Sequence, residues 1–157
     1  MNQLIDKAGV VNANIKDDNG NTLLSIAIES MNESNFGMIK KLVVGSGPKI
    51  NPEEEEVIGE GFEGADTNIP DADGNTPLLK VVQRIIEKRK GKKPFKLELK
   101  VAKLLLENKA DPGFKNKIGQ SSITMILQTS SYSNTLKKSD GISELIQLLW
   151  KGFSFIK

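Results

Sequence analysis

Three stretches of the chain share one order of polar and apolar positions. Each opens with polar residues and a glycine, continues after one further residue with Thr or Ser, and then becomes apolar. The stretches are 17–27, 71–81 and 116–126, and the third matches the other two less closely. Self-similarity of this kind is typical of proteins built from repeated supersecondary units.

Each stretch predicts a turn followed by a helix. The glycine of an Asn-Gly or Asp-Gly pair takes a positive φ without steric cost, as a tight turn requires. The hydroxyls of Thr22, Thr76 and Ser121 are placed to cap the first free N–H groups of a helix. Pro77 follows Thr76, at the first helical position, where proline is tolerated. We therefore expect a helix to begin directly after each of the three hydroxyl residues.

A second apolar stretch follows each block, at 38–44, 101–106 and 145–150. Its apolar residues recur at i, i+3 and i+4, which predicts an amphipathic helix. The chain therefore predicts an all-α fold of about three helix-turn-helix units, preceded at 1–16 by the second half of another unit.

The second unit resembles an ankyrin repeat. The string Asp-Gly-Asn-Thr-Pro-Leu-Leu at 73–79 resembles the ankyrin Thr-Pro-Leu-His motif. Residues 104–111, Leu-Leu-Leu-Glu-Asn-Lys-Ala-Asp, resemble the ankyrin second helix and the turn after it. The resemblance implies one ankyrin-repeat solenoid domain over 1–157, with a half-repeat at 1–16 and repeats at about 17–70, 71–115 and 116–157.

The chain departs from the ankyrin pattern in two ways. Gly20 and Gly74 lie 54 residues apart and Gly74 and Gly119 lie 45 apart, whereas an ankyrin repeat has about 33 residues. Other residues also stand where the family motif has histidine: Ser25, Leu79 and Thr124. The expected repeats therefore have lengthened connections or helices, and lack the family's histidine hydrogen bonds.

Composition limits the chemistry that the chain can perform. It contains no cysteine and no histidine, so disulfides, thiol chemistry and the commonest general base and metal ligand are absent. We predict no catalytic residues, no cofactor and no metal site, and hence a protein that is not an enzyme. A cysteine-free chain suits a reducing compartment, and the predicted location is the cytoplasm. No apolar run approaches the ~20 residues that span a bilayer.

Charge is divided unevenly along the chain. Residues 1–80 hold 6 Lys/Arg and 14 Asp/Glu, a net charge of −8, whereas residues 81–157 hold 16 and 6, a net charge of +10. An acidic insert at about 48–64 has four Glu after Pro52, a plausible helix start, and then three glycines, which favour a flexible surface loop. A basic segment at about 88–96 contains Gly91 and Pro94, which predict a loop between two helices. Its cations are candidates for binding an anion: Lys88, Arg89, Lys90, Lys92, Lys93 and Lys96.

The resemblance implies that a partner protein binds the concave surface formed by the turn tips and first helices. Carried over residue by residue, the partner-binding positions are Lys16, Asp18, Asn21, Glu29, Asp71, Ala72, Asn75, Gln83, Lys115, Lys117, Gln120 and Gln128. The function so implied is a non-enzymatic protein-protein interaction module, a scaffold or adaptor. Some bacteria deliver ankyrin proteins into host cells, and by analogy this chain is interpreted as an effector that acts on a host protein.

Two other functions stay open. One is an adaptor that binds anionic lipid or nucleic acid through the basic loop 88–96, which also resembles a nuclear-entry signal. Binding of nucleic acid is less favoured than binding of lipid, because bases stack on aromatic side chains and Phe95 is the one aromatic residue in this segment. The other is a structural segment of a larger or homo-oligomeric assembly, suggested by apolar residues near both ends, at 4–5 and 148–156.

Overall fold

The computed structural model describes residues 12–46, 49–51, 56–59, 62–131 and 141–154. Within these ranges the chain forms six helices, which confirms the expected helical class. They are α1 Leu23–Glu29, α2 Phe36–Val44, α3 Pro77–Lys90, α4 Lys96–Glu107, α5 Ser122–Ser131 and α6 Ile142–Ser154. The predicted N-terminal half-repeat lies, up to residue 11, outside the described residues.

The first helix of each pair begins where the sequence predicts. The N–H of Ser25 donates to Thr22 Oγ1 at 3.2 Å, and the N–H of Leu79 donates to Thr76 Oγ1 at 3.3 Å. The N–H of Thr124 donates to Ser121 Oγ at 3.3 Å. Each hydroxyl thus satisfies one N–H that the first turn of a helix leaves free, which contributes about 1 kcal/mol to stability.

The six helices form three pairs that pack in chain order. We call α1 with α2 the first unit, α3 with α4 the second unit, and α5 with α6 the third unit. Within each unit the two helices contact each other, and between units α1 packs on α3, α3 on α5, α2 on α4 and α4 on α6. The first helices therefore make one row and the second helices another.

The core lies between these two rows. The largest fully buried aliphatic side chains come from all three units: Leu24, Ile28, Ile39, Leu78, Leu79, Ile85, Leu105, Ile126, Ile142, Leu145 and Leu149. The second unit contributes most: α3 has eight buried residues, whereas α1 has four. Burial of such side chains stabilises the fold by roughly 1.5–3 kcal/mol each relative to exposure.

The acidic insert differs from its prediction. The described part of 48–64 forms short strands where a loop was expected. β2 Lys49–Asn51 pairs antiparallel with β3 Glu56–Gly59, and β4 Phe62–Glu63 pairs antiparallel with β1 Gly45–Ser46, which directly precedes the insert. β-Branched residues favour strands, and Ile50 lies opposite Val57 in the register. The predicted helix start at 52–55 lies outside the described residues.

The basic segment also differs from its prediction. Lys88, Arg89 and Lys90 form the last turn of α3, and Lys96 is the first residue of α4, so the connection between the helices is only 91–95. Cations are favoured at a helix C-terminus because they interact with the free carbonyl groups there. The prediction of a loop over 88–96 is therefore wrong at both of its ends.

Candidate functional site

Three tight turns, 17–20, 71–74 and 116–119, precede the first helices, and we call them the turn tips. In each tip the first side chain accepts two backbone N–H groups, from the residues two and four positions later. The acceptors are Asp17 Oδ1 at 2.9 and 2.7 Å, Asp71 Oδ1 at 2.9 and 2.8 Å, and Asn116 Oδ1 at 3.2 and 2.9 Å. A carboxylate and an amide thus build the same turn.

The second and third tips contact each other directly. The N–H of Lys117 donates to Asp73 O at 3.1 Å, and Asn116 Nδ2 donates to Asn75 Oδ1 at 2.9 Å. Gly74 has φ +82°, and a Cβ added there would lie 2.8 Å from the Lys117 nitrogen. Glycine is therefore required at this position both by its conformation and by the close approach of the next tip.

A groove of about 310 Å³ lies between the first and second units, beside the turn tips. Eight of its nine lining residues are polar or charged. The lining residues are Ile28, Glu29, Asp71, Asp73, Asn75, Lys80, Gln83, Arg84 and Glu87. The groove therefore brings together four of the residues predicted to bind a partner: Glu29, Asp71, Asn75 and Gln83.

Lys80 lies at the base of the groove and is buried. Its ammonium forms ion pairs with Glu29 of α1 and, at 3.0 Å, with Asp71 of the second tip. Burial alone would lower the pKa of Lys80, but the hydrogen bonds and charges of Glu29 and Asp71 outweigh it and raise that pKa above its usual value. Lys80 therefore stays charged and ties the second unit to the first.

Asp71 is the other deeply placed charge of the groove, with its side chain 8% exposed. Burial alone would raise the pKa of Asp71. The hydrogen bond from Lys80, the N–H groups of Asn75 and Asp73, and the charge of Lys80 together lower it below its usual value. Asp71 is therefore engaged within the fold, whereas Asp73 and Glu87 of the groove are exposed.

Arg84 joins three elements at the far end of the groove. Its Nη1 donates to Glu29 O at 3.0 Å and its Nη2 donates to Met31 O at 3.4 Å, which caps carbonyls at the end of α1. The same Nη2 lies 3.7 Å from Oε1 of Glu98 on α4. Lys88 Nζ lies 2.6 Å from that oxygen, so the fully buried Glu98 is neutralised by two cations of α3.

The sequence analysis missed five residues of the groove: Ile28, Asp73, Lys80, Arg84 and Glu87. A signal was present, because Lys80, Gln83, Arg84 and Glu87 recur at i, i+3, i+4 and i+7 along α3. That spacing places them on one face of the helix. This polar stripe interrupts positions that are otherwise apolar from Pro77 to Ile86, and it marks the face that lines the groove.

The remaining predicted partner-binding residues lie outside the groove, on the turn tips, directly beside the turn tips or on a first helix. Six are exposed: Lys16, Asp18, Ala72, Lys115, Lys117 and Gln128. Asn21 and Gln120 are half-buried in the hydrogen-bonded closure of their turns.

The predicted anion-binding cations divide into two groups. Lys90, Lys92, Lys93 and Lys96 are exposed around the 91–95 connection. Lys88 and Arg89 are half-buried, and Lys88 is paired with Glu98. Phe95 is buried in the core, so its ring is not presented at the surface for stacking on a base.

Within the described residues, no group of three or more carboxylates is arranged to hold a metal ion. None of the helices in the described ranges is long and apolar enough to cross a membrane. No protein-family model matches the sequence, and a search of curated proteins finds no similar sequence.

Proposed function

We propose that this chain is a divergent ankyrin-repeat protein that binds another protein along its turn tips and first helices, without catalysis. The groove between the first and second units is the centre of that binding surface. This proposal rests on one observation above the others: the groove is open between two packed units and is lined almost wholly by polar side chains.

The polar lining favours a protein segment over a small ligand. Small-molecule sites are mostly apolar, with a few polar groups that fix the orientation of the ligand. Here Ile28 supplies the apolar part, while carboxylates, amides and cations supply the rest. A partner chain can match such a surface with charged and hydrogen-bonding groups of its own.

The exposed charges of the groove define the chemistry of the partner. Lys80 and Arg84 are engaged within the fold, as described above, so their charge is largely neutralised. Asp73 and Glu87 are exposed, and Glu29 keeps 55% of its side chain accessible. The groove therefore presents net negative charge, and a partner segment with Lys or Arg side chains complements it.

The test compares a groove variant with a variant that carries the same change of charge elsewhere. In the groove variant, Asp73→Lys and Glu87→Lys reverse two exposed carboxylates. In the control, Glu107→Lys and Glu144→Lys reverse two exposed carboxylates on the row of second helices. Proteins retained from a nuclease-treated cell lysate by each variant and by the original chain are then identified by mass spectrometry.

The proposal predicts a protein that the original chain and the control retain and the groove variant loses. Its affinity should fall at least tenfold, equivalent to about 1.4 kcal/mol, when the purified partner is titrated with the groove variant. Unchanged far-UV circular dichroism checks that both variants are folded. Equal retention of every partner by both variants would overturn the proposal.

A second function is suggested by the four exposed lysines at 90, 92, 93 and 96, which surround one short connection. An adaptor that binds an anionic surface would use them as a cluster. Vesicles containing phosphatidylserine should then retain the original chain at low salt and release it at high salt. Replacement of the four lysines by glutamine should abolish that retention, and retention unaffected by this replacement would exclude the function.

A further inference from the structure

The exposed sides of the second helices carry an excess of lysine. We call these sides, on α2, α4 and α6 together, the outer face. Its lysines are Lys40 and Lys41 on α2, Lys96, Lys100 and Lys103 on α4, and Lys151 on α6, and its carboxylates are Glu107 and Glu144. Six positive and two negative charges give the outer face a net charge of +4.

Helix geometry gathers the lysines on one side of α4. Lys96, Lys100 and Lys103 follow one another at intervals of four and three residues, which places them in one stripe along the helix. The buried residues of α4, such as Val101 and Leu105, occupy the opposite side and face the core. The stripe therefore points away from the first helices and from the groove that they line.

The basic stripe of α4 continues onto α2. The two helices pack against each other, and Lys100 Nζ lies 6.0 Å from the centre of the Phe36 ring on α2. Lys41 and Lys103 occupy the same position in their units, one residue before the paired apolar residues, and both are exposed. The exposed lysines around the 91–95 connection adjoin the stripe at the start of α4. One basic surface thus extends over the first and second units.

Apolar side chains are exposed on the same three helices. Met38 and Val44 of α2 are 47% and 56% exposed, and Trp150 of α6 is 50% exposed. A membrane interface accommodates both kinds of residue, because lysine extends its charge to the headgroups while apolar side chains and the indole ring enter the boundary with the acyl chains. The outer face therefore combines the two features by which a protein surface lies on a bilayer.

The basic residues of the outer face are all lysines, and this indicates the kind of anion that it fits. The two arginines of the chain, Arg84 and Arg89, are both on α3. Arginine recognises single phosphates with two parallel hydrogen bonds, as in nucleic acids, whereas lysine acts as a point charge. Lysines spread over two units suit a continuous layer of negative charge, such as the anionic headgroups of a bilayer.

We propose that the outer face binds a membrane surface that contains anionic lipids. The proposal rests on the second function suggested above and deepens it, since the lysines of the 91–95 connection become one edge of a larger surface. The core lies between the two rows of helices, so a bilayer against the outer face leaves the groove open to the solvent. A protein bound in the groove would thus be held at the membrane surface.

The test compares two variants that lose the same charge at different places. The outer-face variant carries three substitutions: Lys41→Gln, Lys100→Gln and Lys103→Gln. The control removes three exposed lysines on or beside the turn tips: Lys16→Gln, Lys115→Gln and Lys117→Gln. Each variant changes the formal net charge from +2 to −1, since three positive charges are removed. Circular dichroism verifies that both variants are folded.

Sedimentation with vesicles measures binding at physiological ionic strength. The vesicles contain phosphatidylcholine with one-third phosphatidylserine, and vesicles of phosphatidylcholine alone are the neutral reference. The original chain should bind the anionic vesicles and not the neutral ones. Each lysine at such a surface contributes roughly fivefold to the affinity, so the outer-face variant should bind about a hundredfold more weakly. The control should change by less than about threefold, because charges beyond a Debye length of ~8 Å are screened.

Trp150 reports the contact directly, because it is the single tryptophan of the chain. It belongs to α6, the last helix in the row of second helices. An indole ring that enters the membrane interface leaves water. The fluorescence of Trp150 should therefore shift to shorter wavelength when anionic vesicles are added, and it should stay unchanged with neutral vesicles.

Three results would overturn the proposal. Failure of the original chain to bind anionic vesicles would exclude the second function as well. Equal binding by the outer-face variant and the control, with binding lost when the lysines at 90, 92, 93 and 96 are replaced, would leave the second function to the connection alone. Displacement of the chain from the vesicles by duplex DNA, with tighter binding to the DNA, would assign the outer face to nucleic acid instead.

Discussion

The two interfaces between successive units have the same geometry but different chemistry. Between the first and second units, charges make the contact: Lys80 pairs with Glu29 and Asp71, and Arg84 donates to carbonyls of the first unit. Between the second and third units, neutral groups make it, through the N–H of Lys117 and the amide of Asn116. The first interface therefore depends on pH, and the second depends on close backbone approach.

The largest expected effect is at the first interface. Arg84→Met removes the donor to two carbonyls at the end of α1 and leaves the buried Glu98 with Lys88 as its partner. Breaking one side of a buried charge network costs about 3 kcal/mol. The free energy of unfolding measured in urea should fall by that amount, whereas Lys90→Met, at an exposed position six residues later, should change it by less than about 0.5 kcal/mol. Equal losses for both would contradict the role given to Arg84.

The second effect concerns backbone approach at the other interface. Gly74→Ala introduces a Cβ 2.8 Å from the Lys117 nitrogen at φ +82°, whereas Gly119→Ala introduces one at φ +78° that has no atom of the described residues within 4 Å. Both substitutions strain the turn by about 1 kcal/mol, but Gly74→Ala must also displace the third tip. We expect the free energy of unfolding, measured in urea, to fall by about 2–3 kcal/mol for Gly74→Ala and by about 1 kcal/mol for Gly119→Ala. Similar losses would mean that the tips do not constrain each other.

The third effect is the pH dependence of the first interface. The pKa of Asp71 is lowered on folding, so its ionised form stabilises the fold above the usual carboxyl pKa of about 4. That stabilisation is lost as the pH falls through the lowered pKa of Asp71. Asp71→Asn should therefore destabilise the protein at pH 7 by about 1 kcal/mol and by less at pH 3. If Asp71→Asn lowered the free energy of unfolding equally at pH 7 and pH 3, the stabilising role given to ionised Asp71 would be contradicted.

The raised pKa of Lys80 gives the matching expectation at high pH. The charge of Lys80 stabilises the fold fully below its ordinary pKa, and that contribution is lost as the pH rises through the raised value. Lys80→Met should abolish this alkaline decline while leaving the contacts of Lys117 and Asn116 unchanged.

The smallest effect tests the neutral interface. Asn116→Asp keeps the acceptor that organises the third tip, as Asp71 does in the second tip, and removes the amide donor to Asn75. The amide of Asn75 can rotate and donate instead. The free energy of unfolding, measured by thermal denaturation, should therefore change by less than about 0.5 kcal/mol. Asn116→Ala loses the acceptor as well and should cost about 2 kcal/mol. A large effect of Asn116→Asp would show that the amide pair is essential.

Local patterns in the sequence were sufficient to locate the helices. Thr22, Thr76 and Ser121 begin helices where predicted, because an N-cap depends on residues within one turn of it. The second helices follow from the spacing of apolar residues, which is also a local property. The strands of the insert escaped prediction because their pairing depends on residues up to 18 positions apart, as in Gly45 with Glu63.

The groove was harder to predict because its residues depend on distant partners. Lys80 and Glu98 are charged types that are usually exposed, and both are buried here. The partner of Lys80 is Glu29, 51 residues earlier, and no spacing within one helix indicates that pairing. Four of the groove residues, such as Gln83, were among the predicted partner-binding positions. Those positions were taken from the resemblance to a repeat family, because the periodicity of apolar residues alone does not indicate them.

The burial of α3 has a consequence for how the chain folds. Eight of its residues are buried, and it packs against α1, α4 and α5, so it belongs to both interfaces between units. A stack in which each unit contacts its neighbours gains stability interface by interface, and folding can begin in one unit and spread. We expect the amides of the second unit to become protected first during refolding, and those of the first and third units to follow. When the chain is pulled from its two ends, the first and third units should detach before the second unit unfolds.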